Sequence, residues 1–534
     1  MSPPQRALLI ASGAYLDSEL QLEFGKLPPA FLPLENKRLY QHQLLELSSS
    51  FDKIHLSLPE DYVLDELDKH FLELYKVEIT FVPEGLSLGN SLVYVINVNA
   101  LSSSELSIIH GDTLLQDIDL LSKDAVSVNL NVPRHYDWGA VFVENNIIDF
   151  HNKTDRNCNA ILTGFFTFTS PAKLVQAITK SNGSFLEGLR YYSEYLPLEA
   201  ITSNKWFDFG HGITYHRSRQ SFTTEREFNK LKINSRLVTK SGCKPEKIIA
   251  ESEWYLNIPS ELRIFTPIYL GKEANEQAVS YTLEYLYLPT LSDIFVFGKL
   301  NINAWEGIFD ACEEVLSSFM RHPGELTLDV IDEIDDLYRY KTFERLEMFA
   351  RKSGFNIDCD LKFKGKSYPS LVNIADSVLA KVPKIKQKQY TVTHGDLCFS
   401  NMLFDVRSNI LKLIDPRGLN SRNVQTIYGD IRYDLSKLNH SLIGLYDFII
   451  SKRCKVQFDM NGSFDISFPI DERIKNIQAM YAERNFLGGN HDGNGLHEMT
   501  ILLFLSMLPF HADNAERQFS FVANALRLFE MADK

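Results

Sequence analysis

The sequence is poor in the features that mark secreted, membrane-spanning and nucleic-acid-binding proteins. Its six cysteines are scattered over 534 residues without a CxxC pair, which argues against a disulfide framework or a zinc site. No stretch approaches the roughly 18 apolar residues of a membrane span, and the first apolar run is too short for a signal peptide. Basic residues number 55 against 69 acidic ones, so the formal charge of -14 argues against nucleic acid or anionic lipid as a partner. We therefore expect a cytoplasmic protein without membrane insertion.

The composition indicates an ordinary globular chain with more than one core. Hydrophobic residues make up 44% of the sequence and aromatic residues 12%, so there is enough apolar surface to bury. A length of 534 residues exceeds what one core usually holds, so two or three compact units are expected. Whether copies of the chain form a homo-oligomer is left open.

The first 218 residues show the pattern of an α/β domain. Short apolar runs alternate with amphipathic helical runs from Ala7 to about Asp112, as strands and crossover helices do in a parallel sheet. A hairpin, GAVFVENNIIDFHNK, and a strand, AILTGFFTF, follow before more helical sequence. The predicted fold is a Rossmann-like domain with a mostly parallel sheet over residues 1–218.

A second pattern begins near Ser221. It predicts a hairpin turned at Asn234 and Ser235, a helix in KPEKIIAESEWYLNI that Pro259 closes, and a strand in AVSYTLEYLYL. Most of the remaining sequence has helical spacing. The prediction is an α+β domain over residues 219–534, with a small lobe to about residue 290 and a largely helical lobe over about 291–534.

Residues 390–418, YTVTHGDLCFSNMLFDVRSNILKLIDPRG, contain three side chains suited to phosphoryl transfer. Asp396 follows an apolar strand, Asn401 comes five residues later, and Asp415 ends the next hairpin. Such a reaction needs a carboxylate that orients the acceptor hydroxyl and oxygen ligands that hold Mg²⁺ on the phosphates. A single aspartate after a strand is more often a turn or helix cap, but three suitable residues in this order favour a catalytic site.

The segments HGDLCFSNMLFD and LIDPRG resemble the catalytic and metal-binding motifs of the aminoglycoside phosphotransferase family, which includes choline kinases. The resemblance implies a protein-kinase-like fold, ATP as phosphate donor, Asp396 as catalytic base, and Asn401 and Asp415 as magnesium ligands. His394 is expected to support the loop rather than react. Asp434, in YGDIRYDLSKLNHS, is expected to be architectural.

The nucleotide needs further partners in the small lobe. Lys240 is the candidate for the α- and β-phosphates, paired with Glu251, preferred by family resemblance, or Glu253 on the next helix. A solvated lysine at a strand end is the alternative. The hinge that binds adenine through its backbone is predicted at Glu284 to Tyr287.

Three segments of the first half resemble sugar-nucleotide pyrophosphorylases and phosphocholine cytidylyltransferases: KLPPAFLPLENKRLYQHQL, IIHGDTLL and KWFDFGHGITY. Enzymes of this kind join a substrate phosphate to the α-phosphorus of an NTP and release pyrophosphate. The resemblance implies that Asp112 and Asp208 hold magnesium, which lowers the repulsion between the two phosphates. It also places Gly89 and Ser91, in EGLSLGNSL, near the nucleobase and Lys153 at the substrate phosphate.

The first loop departs from that family. ASGAYLDSELQLEFGKLPPA has one early glycine, Gly13, and acidic residues where the family has a glycine-rich loop with a cation for the triphosphate. Gly13 is predicted to contact the nucleotide, and Lys26 is the predicted catalytic cation, with Arg38 as its alternative. The domain is thus expected either to use an altered loop or to have lost catalysis.

Together the two resemblances imply a bifunctional transferase. The kinase would phosphorylate a sugar or a choline-like amino alcohol, and the first domain would couple the phosphomonoester to an NTP for bacterial surface polysaccharide. CTP is the first expectation for that NTP, with UTP, GTP and dTTP left open. The alternatives are an active kinase with a degenerate first domain, and a scaffold in which neither half turns over.

Overall fold

The computed structural model describes residues 5–118, 124–131, 139–150, 158–203, 205–222, 229–274, 279–459, 462–486 and 494–532. The chain forms two compact units. The first runs to Phe222 and also takes in Phe297–Lys299, and the second comprises Thr223–Val296 and Leu300–Lys534. The change of unit at Phe222 lies four residues beyond the boundary predicted from the sequence.

The first unit is built around one nine-stranded sheet with two small strand pairs beside it. Its strands are β1 Arg6–Ala11, β2 Pro33–Leu34, β3 Lys37–Arg38, β4 Lys53–Pro59, β5 Val77–Val82, β6 Glu105–His110, β7 Thr113–Gln116, β8 Ala125–Asn129, β9 Ala140–Glu144, β10 Ile147–Asp149, β11 Ala160–Phe168, β12 Glu199–Thr202 and β13 Lys205–Asp208.

The large sheet is mixed, in contrast to the mostly parallel sheet predicted from the sequence. Its order is β5-β4-β1-β6-β11-β8-β12-β10-β9. The strands β5, β4, β1 and β6 run parallel, whereas β11 is antiparallel to both β6 and β8. The prediction went wrong after residue 112, where the sequence no longer alternates strands with crossover helices and antiparallel pairing becomes possible without them.

Helices cover both faces of this sheet. They are α1 Ser18–Phe24, α2 Leu39–Leu47, α3 Glu66–Leu74, α4 Leu88–Val98, α5 Pro171–Lys180, α6 Phe185–Ser193 and α7 Gly212–Gln220. Alternate residues of β1 enter opposite cores, with Leu8 and Ile10 on one side and Ala7 and Leu9 on the other. Polar side chains at the ends of β6 and β13 are thereby held at an edge of the sheet.

The second unit contains two four-stranded sheets and two strand pairs. Its strands are β14 Asn229–Ile233, β15 Leu237–Gly242, β16 Tyr269–Ala274, β17 Val279–Glu284, β18 Leu361–Phe363, β19 Lys366–Tyr368, β20 Tyr390–Val392, β21 Met402–Asp405, β22 Ile410–Leu413, β23 Tyr428–Asp430, β24 Lys455–Phe458 and β25 Ser463–Ser467. The order β14-β15-β17-β16 forms the small lobe, and β19-β18-β25-β24 is a sheet that the sequence did not predict.

The rest of the second unit is mainly helical, as the sequence pattern indicated. Its helices are α8 Pro245–Asn257, α9 Leu291–Val296, α10 Ile302–Met320, α11 Leu328–Tyr338, α12 Tyr340–Ser353, α13 Leu371–Lys381, α14 Ile431–Leu442, α15 Tyr446–Ile450, α16 Glu472–Glu483, α17 Leu496–Met507 and α18 Ala515–Ala532.

Local sequence accounts for the ends of the helix that borders the site. Pro245 begins α8, where its missing N–H costs no helical hydrogen bond, and Pro259 follows two residues after the last helical one. Among the residues that the structure describes, no helix has the length and apolar character needed to cross a bilayer.

Candidate active sites in the two units

The loop after β20 is held by a buried carboxylate from α14. Asp434 accepts hydrogen bonds of 2.7 Å from the backbone N–H groups of both His394 and Gly395. Burial raises the pKa of Asp434 to about 7, although the two N–H groups favour its charged form. Its contacts are with loop backbone, as expected of the architectural residue suggested by the sequence.

His394 supports the same loop from its other side. Its Nε2 lies 3.0 Å from the carbonyl of Ile414, and the N–H of Asp396 donates to its Nδ1 at 3.3 Å. This assigns the proton to Nε2, because Nδ1 must accept. Burial lowers the pKa of His394 to about 4, so the ring is neutral near pH 7 and joins two functional loops.

Asp396 is paired with a lysine that sequence reasoning missed. Lys437 Nζ, on α14, lies 2.9 Å from Asp396 Oδ1, and the lysine side chain is only 10% exposed. Burial opposes the charge of Asp396, but Lys437 outweighs it and lowers the pKa to about 2. The aspartate side chain is 41% exposed, so one edge of the carboxylate stays open to a substrate.

Asn401 lies directly beside Asp396. Its Nδ2 donates to the backbone carbonyl of Asp396 at 2.9 Å and to Oδ2 at 3.2 Å. Both donated bonds use the amide nitrogen, which leaves the amide oxygen as the group that could bind a cation. The hairpin β21–β22 then brings Ile414 back, because its N–H donates to the carbonyl of Asn401.

Asp415 lies beyond that hairpin and next to the predicted ATP lysine. Lys240 Nζ is 3.0 Å from Asp415 Oδ1 and 2.8 Å from Glu251 Oε2, and its side chain is 5% exposed. Burial disfavours the charge of Lys240, but the two carboxylates outweigh it and raise its pKa. The partner of Lys240 is thus Glu251, whereas Glu253 pairs with Lys272 at 2.7 Å.

These contacts fit a divalent cation. Two carboxylates and an amide oxygen lie on adjacent loops, and oxygen ligands of this kind, completed by phosphate oxygens, are what Mg²⁺ takes in nucleotide sites. The loop also packs tightly on α8, since a Cβ on Gly418 would lie 2.2 Å from the carbonyl oxygen of Ala250. The helix with Glu251 and the loop with Asp415 are therefore fixed to each other.

The predicted hinge is partly engaged in the structure. The N–H of Glu284 donates to the carbonyl of Ile268 at 2.9 Å, as β-sheet residues do. Tyr287 donates its hydroxyl to the carbonyl of Ser235 at 2.8 Å, beside the hairpin turn. Both residues therefore border the small sheet, and contact of their backbone with adenine stays a prediction.

In the first unit, Asp112 and Asp208 lie close together. Asp208 pairs with Thr113 across β7 and β13, and a Cβ on Gly210 would be 2.7 Å from Asp112 Oδ2 and 3.5 Å from Asp208 Oδ1. Burial, and then the charge of Asp112, raise the pKa of Asp208 to about 7. Asp208 Oδ2 is buried without a hydrogen bond.

Two facing carboxylates with an unsatisfied buried oxygen fit a bound divalent cation. Within the described ranges no group of three or more His, Cys, Asp or Glu side chains forms a closed metal site. Mg²⁺ at Asp112 and Asp208 would therefore depend on phosphate oxygens and water for its other ligands.

The glycines predicted to meet the nucleotide make close contacts within the protein. A Cβ on Gly13 would lie 3.0 Å from Ser91 Oγ, so these two residues do meet. A Cβ on Gly89 would lie 2.5 Å from the carbonyl of Gly183. Close packing of α4 explains that glycine without a nucleobase.

The first loop differs from the glycine-rich cradle of the resembled family. Residues Ser18–Phe24 form α1, and Asp17 caps it by accepting from the N–H of Leu20. Lys26 Nζ is held by Asp61 at 2.8 Å and Glu84 at 3.0 Å. The alternative cation, Arg38, is buried and donates to the carbonyls of Phe31 and Phe297, so it is structural and the suggestion that it binds phosphate is wrong. The predicted Lys153 lies outside the described residues.

No family model matches the sequence, and no curated protein is significantly similar to it. Among solved structures, the chain is similar to HddC from Yersinia pseudotuberculosis, at 17% identity over 41% of this chain and 100% of that one, with a TM-score of 0.31. It is also similar to a thermostable mutant of aminoglycoside phosphotransferase APH(4)-Ia, at 12% identity over 58% of this chain and 93% of that one, with a TM-score of 0.38.

A third similar structure is an aminoglycoside-3'-phosphotransferase of type VIII, at 15% identity over 55% of this chain and 99% of that one, with a TM-score of 0.31. At these identities and TM-scores the likenesses establish neither a shared fold nor a shared function. The functional argument rests on the contacts within each unit.

Proposed function

We propose that the second unit is an ATP-dependent kinase for a small hydroxyl compound. One observation carries the proposal: Asp396, Asn401 and Asp415 lie on adjacent loops, and a buried lysine holds each of the two carboxylates. Structural aspartates seldom need such an arrangement, because pairing a buried lysine costs desolvation energy that only a defined geometry recovers. A phosphoryl-transfer centre needs this rigidity.

Asp396 acts by orienting the acceptor. A carboxylate with a pKa of about 2 is charged at every pH at which the protein works, so it always accepts a hydrogen bond from the acceptor hydroxyl. It is a weak base, and it takes the proton only as the new O–P bond forms and the bond from the γ-phosphorus to the ADP oxygen breaks. A loose transition state tolerates this late transfer.

The nucleotide would lie between Lys240 and the metal ligands. Lys240 is held by Glu251 and Asp415 at an orientation suited to the α- and β-phosphates. Mg²⁺ bound by Asn401 and Asp415 would neutralise phosphate charge during transfer. Tyr281 donates to Glu251 at 2.8 Å and so fixes the far end of this chain of contacts.

We propose that the first unit uses the resulting phosphomonoester. A phosphate oxygen of that product attacks the α-phosphorus of an NTP, and the bond to the pyrophosphate oxygen breaks. Asp112 and Asp208 would hold the Mg²⁺ that reduces repulsion between the two anions. The facing carboxylates and the unsatisfied oxygen of Asp208 support this role. An NDP-linked building block for surface polysaccharide would be the product.

A second candidate keeps the kinase but makes the first unit a nucleotide-binding or regulatory module. The observation that favours it is the first loop, where Lys26 is bound by Asp61 and Glu84. A triphosphate would have to displace two carboxylates to reach that lysine. The loop is also folded as α1, which removes the open cradle of backbone amides.

A two-step assay on the full chain separates these candidates. ATP consumption is measured against sugars, polyols and amino alcohols, and pyrophosphate release is then measured with each phosphorylated product and CTP, UTP, GTP or dTTP. Asp396→Asn should abolish the first step alone and Asp208→Asn the second alone. Kinase activity without pyrophosphate release from any NTP would favour the degenerate first unit, and Asp396→Asn with full kinase turnover would refute the kinase proposal.

A further inference from the structure

A group of basic side chains surrounds the catalytic loop of a chain whose net charge is -14. Arg417 lies two residues beyond Asp415, and its guanidinium carbon is 5.6 Å from the ring centre of Tyr433. Lys437, the partner of Asp396, lies 5.9 Å from the same ring. Two cations thus flank one tyrosine beside the proposed catalytic carboxylate.

Two more cations come from α12. Lys341 and Arg345 are four residues apart and therefore share one face of the helix. Tyr338, just before this helix, contacts the ring of Tyr433 at 6.2 Å. Burial, and then the charges of Arg417 and Arg345, lower the pKa of Lys341 to about 8, which places the three cations close enough to repel. We call Lys341, Arg345 and Arg417 the basic cluster.

The basic cluster lacks compensating ion pairs. Within the described ranges, no carboxylate lies within ion-pair distance of any of its three members, although Glu333 and Glu344 exert a weaker attraction on Lys341. Arg345 is placed over the ring of Phe510, at 4.8 Å. Like charges that are partly buried and unpaired cost stability, so their convergence favours a role in binding an anion.

A pocket opens beside the cluster. Its lining includes the backbone of His394 and Gly395 together with Arg417, Tyr433, Glu333 and Asp430. The two acids are already engaged: Glu333 accepts from the N–H of Ser421, and Asp430 pairs with Arg432 at 2.7 Å. Arg417 is therefore the cation of the lining that is available to a ligand.

ATP alone does not account for these cations. The proposed ATP contacts come from Lys240 and Glu251 in the small lobe, whereas Lys341 and Arg345 belong to the helical lobe. The pocket lies on the side of the His394–Gly395 backbone that meets Arg417 and Tyr433. An acceptor that approaches Asp396 from this side would meet the basic cluster first.

We propose that the kinase acceptor is an alcohol that already carries a negative group, a phosphate or a carboxylate, which binds the basic cluster while its hydroxyl meets Asp396. This inference rests on the proposed kinase function and narrows its substrate class. It makes a choline-like acceptor unfavourable, because a quaternary ammonium group would lie among like charges. An anionic sugar satisfies both the cations and the carboxylate.

The first test measures binding of inorganic phosphate, and separately acetate, to the full chain saturated with Mg²⁺ and AMP-PNP, by calorimetry. The double variant Lys341→Gln/Arg345→Gln should weaken anion binding at least about tenfold, as expected for loss of two charge-assisted contacts. The matched control, Arg351→Gln/Lys352→Gln, removes the same charges from exposed positions of the same helix and should bind as the wild type does. Preference for phosphate or acetate identifies which anionic group the site takes.

The second test compares ADP release with glucose, glucosamine, glucose 6-phosphate and glucuronate. An anionic member should have the highest kcat/KM, and the double variant should raise its KM while the KM for ATP stays within about twofold. Equal phosphate affinity in wild type and double variant, or a variant that changes the KM for ATP alone, would overturn the anionic acceptor. Failure of the wild-type chain to bind Mg²⁺ and AMP-PNP would instead refute the kinase proposal beneath it.

Discussion

The two candidate sites solve the problem of clustered carboxylates in opposite ways. In the second unit, Asp396 is paired with Lys437, and Asp415 with Lys240. In the first unit, Asp112 faces Asp208 without a cation between them, and the pKa of Asp208 rises to about 7 as burial and Asp112 disfavour its charge. The kinase site is therefore organised before any metal binds, whereas the other site gains its balance only when a cation arrives.

Removal of Lys240 should have the largest effect of the variants that test this contrast. Lys240→Met leaves Glu251, whose side chain is 13% exposed, without its cation. We expect the free energy of unfolding of the second unit to fall by about 3 kcal/mol. Kinase turnover should fall by about 100-fold or more, since a preorganised cation at the phosphates is lost. Denaturant unfolding and ADP release measure the two effects.

Lys232→Met is the matched control, because Lys232 is exposed on the neighbouring strand β14. It should change neither quantity. If Lys240→Met unfolds at the same denaturant concentration as wild type, the kinase site is not held by its own ion pairs and the contrast between the two units disappears.

The same type of change should have the opposite sign in the first unit. Asp208→Asn removes one of two facing carboxylates, so the metal-free protein should become more stable by about 1–2 kcal/mol at pH 8. The gain has a functional cost, since Mg²⁺ should stabilise the wild type and leave the variant unchanged. Thermal unfolding with and without Mg²⁺ reports both outcomes.

Asp117→Asn provides the control, because Asp117 is exposed at the end of β7 and pairs with Lys205 at 2.7 Å. Loss of stability in metal-free Asp208→Asn would show that the carboxylate is satisfied within the protein, and the case for a cation at Asp112 and Asp208 would fail.

The sequence was most informative where a motif is continuous along the chain. Strands β1, β4, β5 and β6 lie where apolar runs were predicted, and HGDLCFSN places Asp396 and Asn401 five residues apart in one loop that the structure closes with a 2.9 Å contact. Local spacing determines these features, so they can be seen without tertiary information.

Features made by distant segments escaped prediction. β18 pairs with β25 in parallel, about 100 residues along the chain, and nothing local specifies such a pairing. Lys437 reaches Asp396 only because Asp434 docks α14 against the loop. A local signal for α1 did exist: Asp17 precedes Leu20 and Phe24, which are spaced four apart as on a helix face.

A smaller effect is expected from Lys437, and it depends on pH. Asp396 has a pKa lowered to about 2, so its contribution to stability and its charge persist until the pH falls toward that value. In Lys437→Met the cation is gone and burial remains, so the pKa should rise above the ordinary value near 3.9. The variant should lose kinase rate as the pH falls toward about 5, whereas the wild type should not.

The rate profile distinguishes this role from a structural one. Lys437→Arg keeps the positive charge and should restore the wild-type profile, even if packing lowers its overall rate. A uniform loss of rate at every pH in Lys437→Met would mean that Lys437 supports the fold without tuning Asp396.

The smallest effect should come from Lys26, and its direction decides between an active and a degenerate first unit. Lys26 is half exposed and already bound by Asp61 and Glu84, so an NTP must compete with both acids for it. If the lysine contacts the triphosphate, Lys26→Gln should weaken NTP binding by about three- to tenfold, and Asp61→Asn should strengthen it by freeing the cation. Lys53→Gln, at an exposed strand start, serves as control. NTP affinity that is the same in all three variants would mean that Lys26 serves only its two acidic neighbours, because a cation used for the triphosphate cannot be removed or released without changing that affinity.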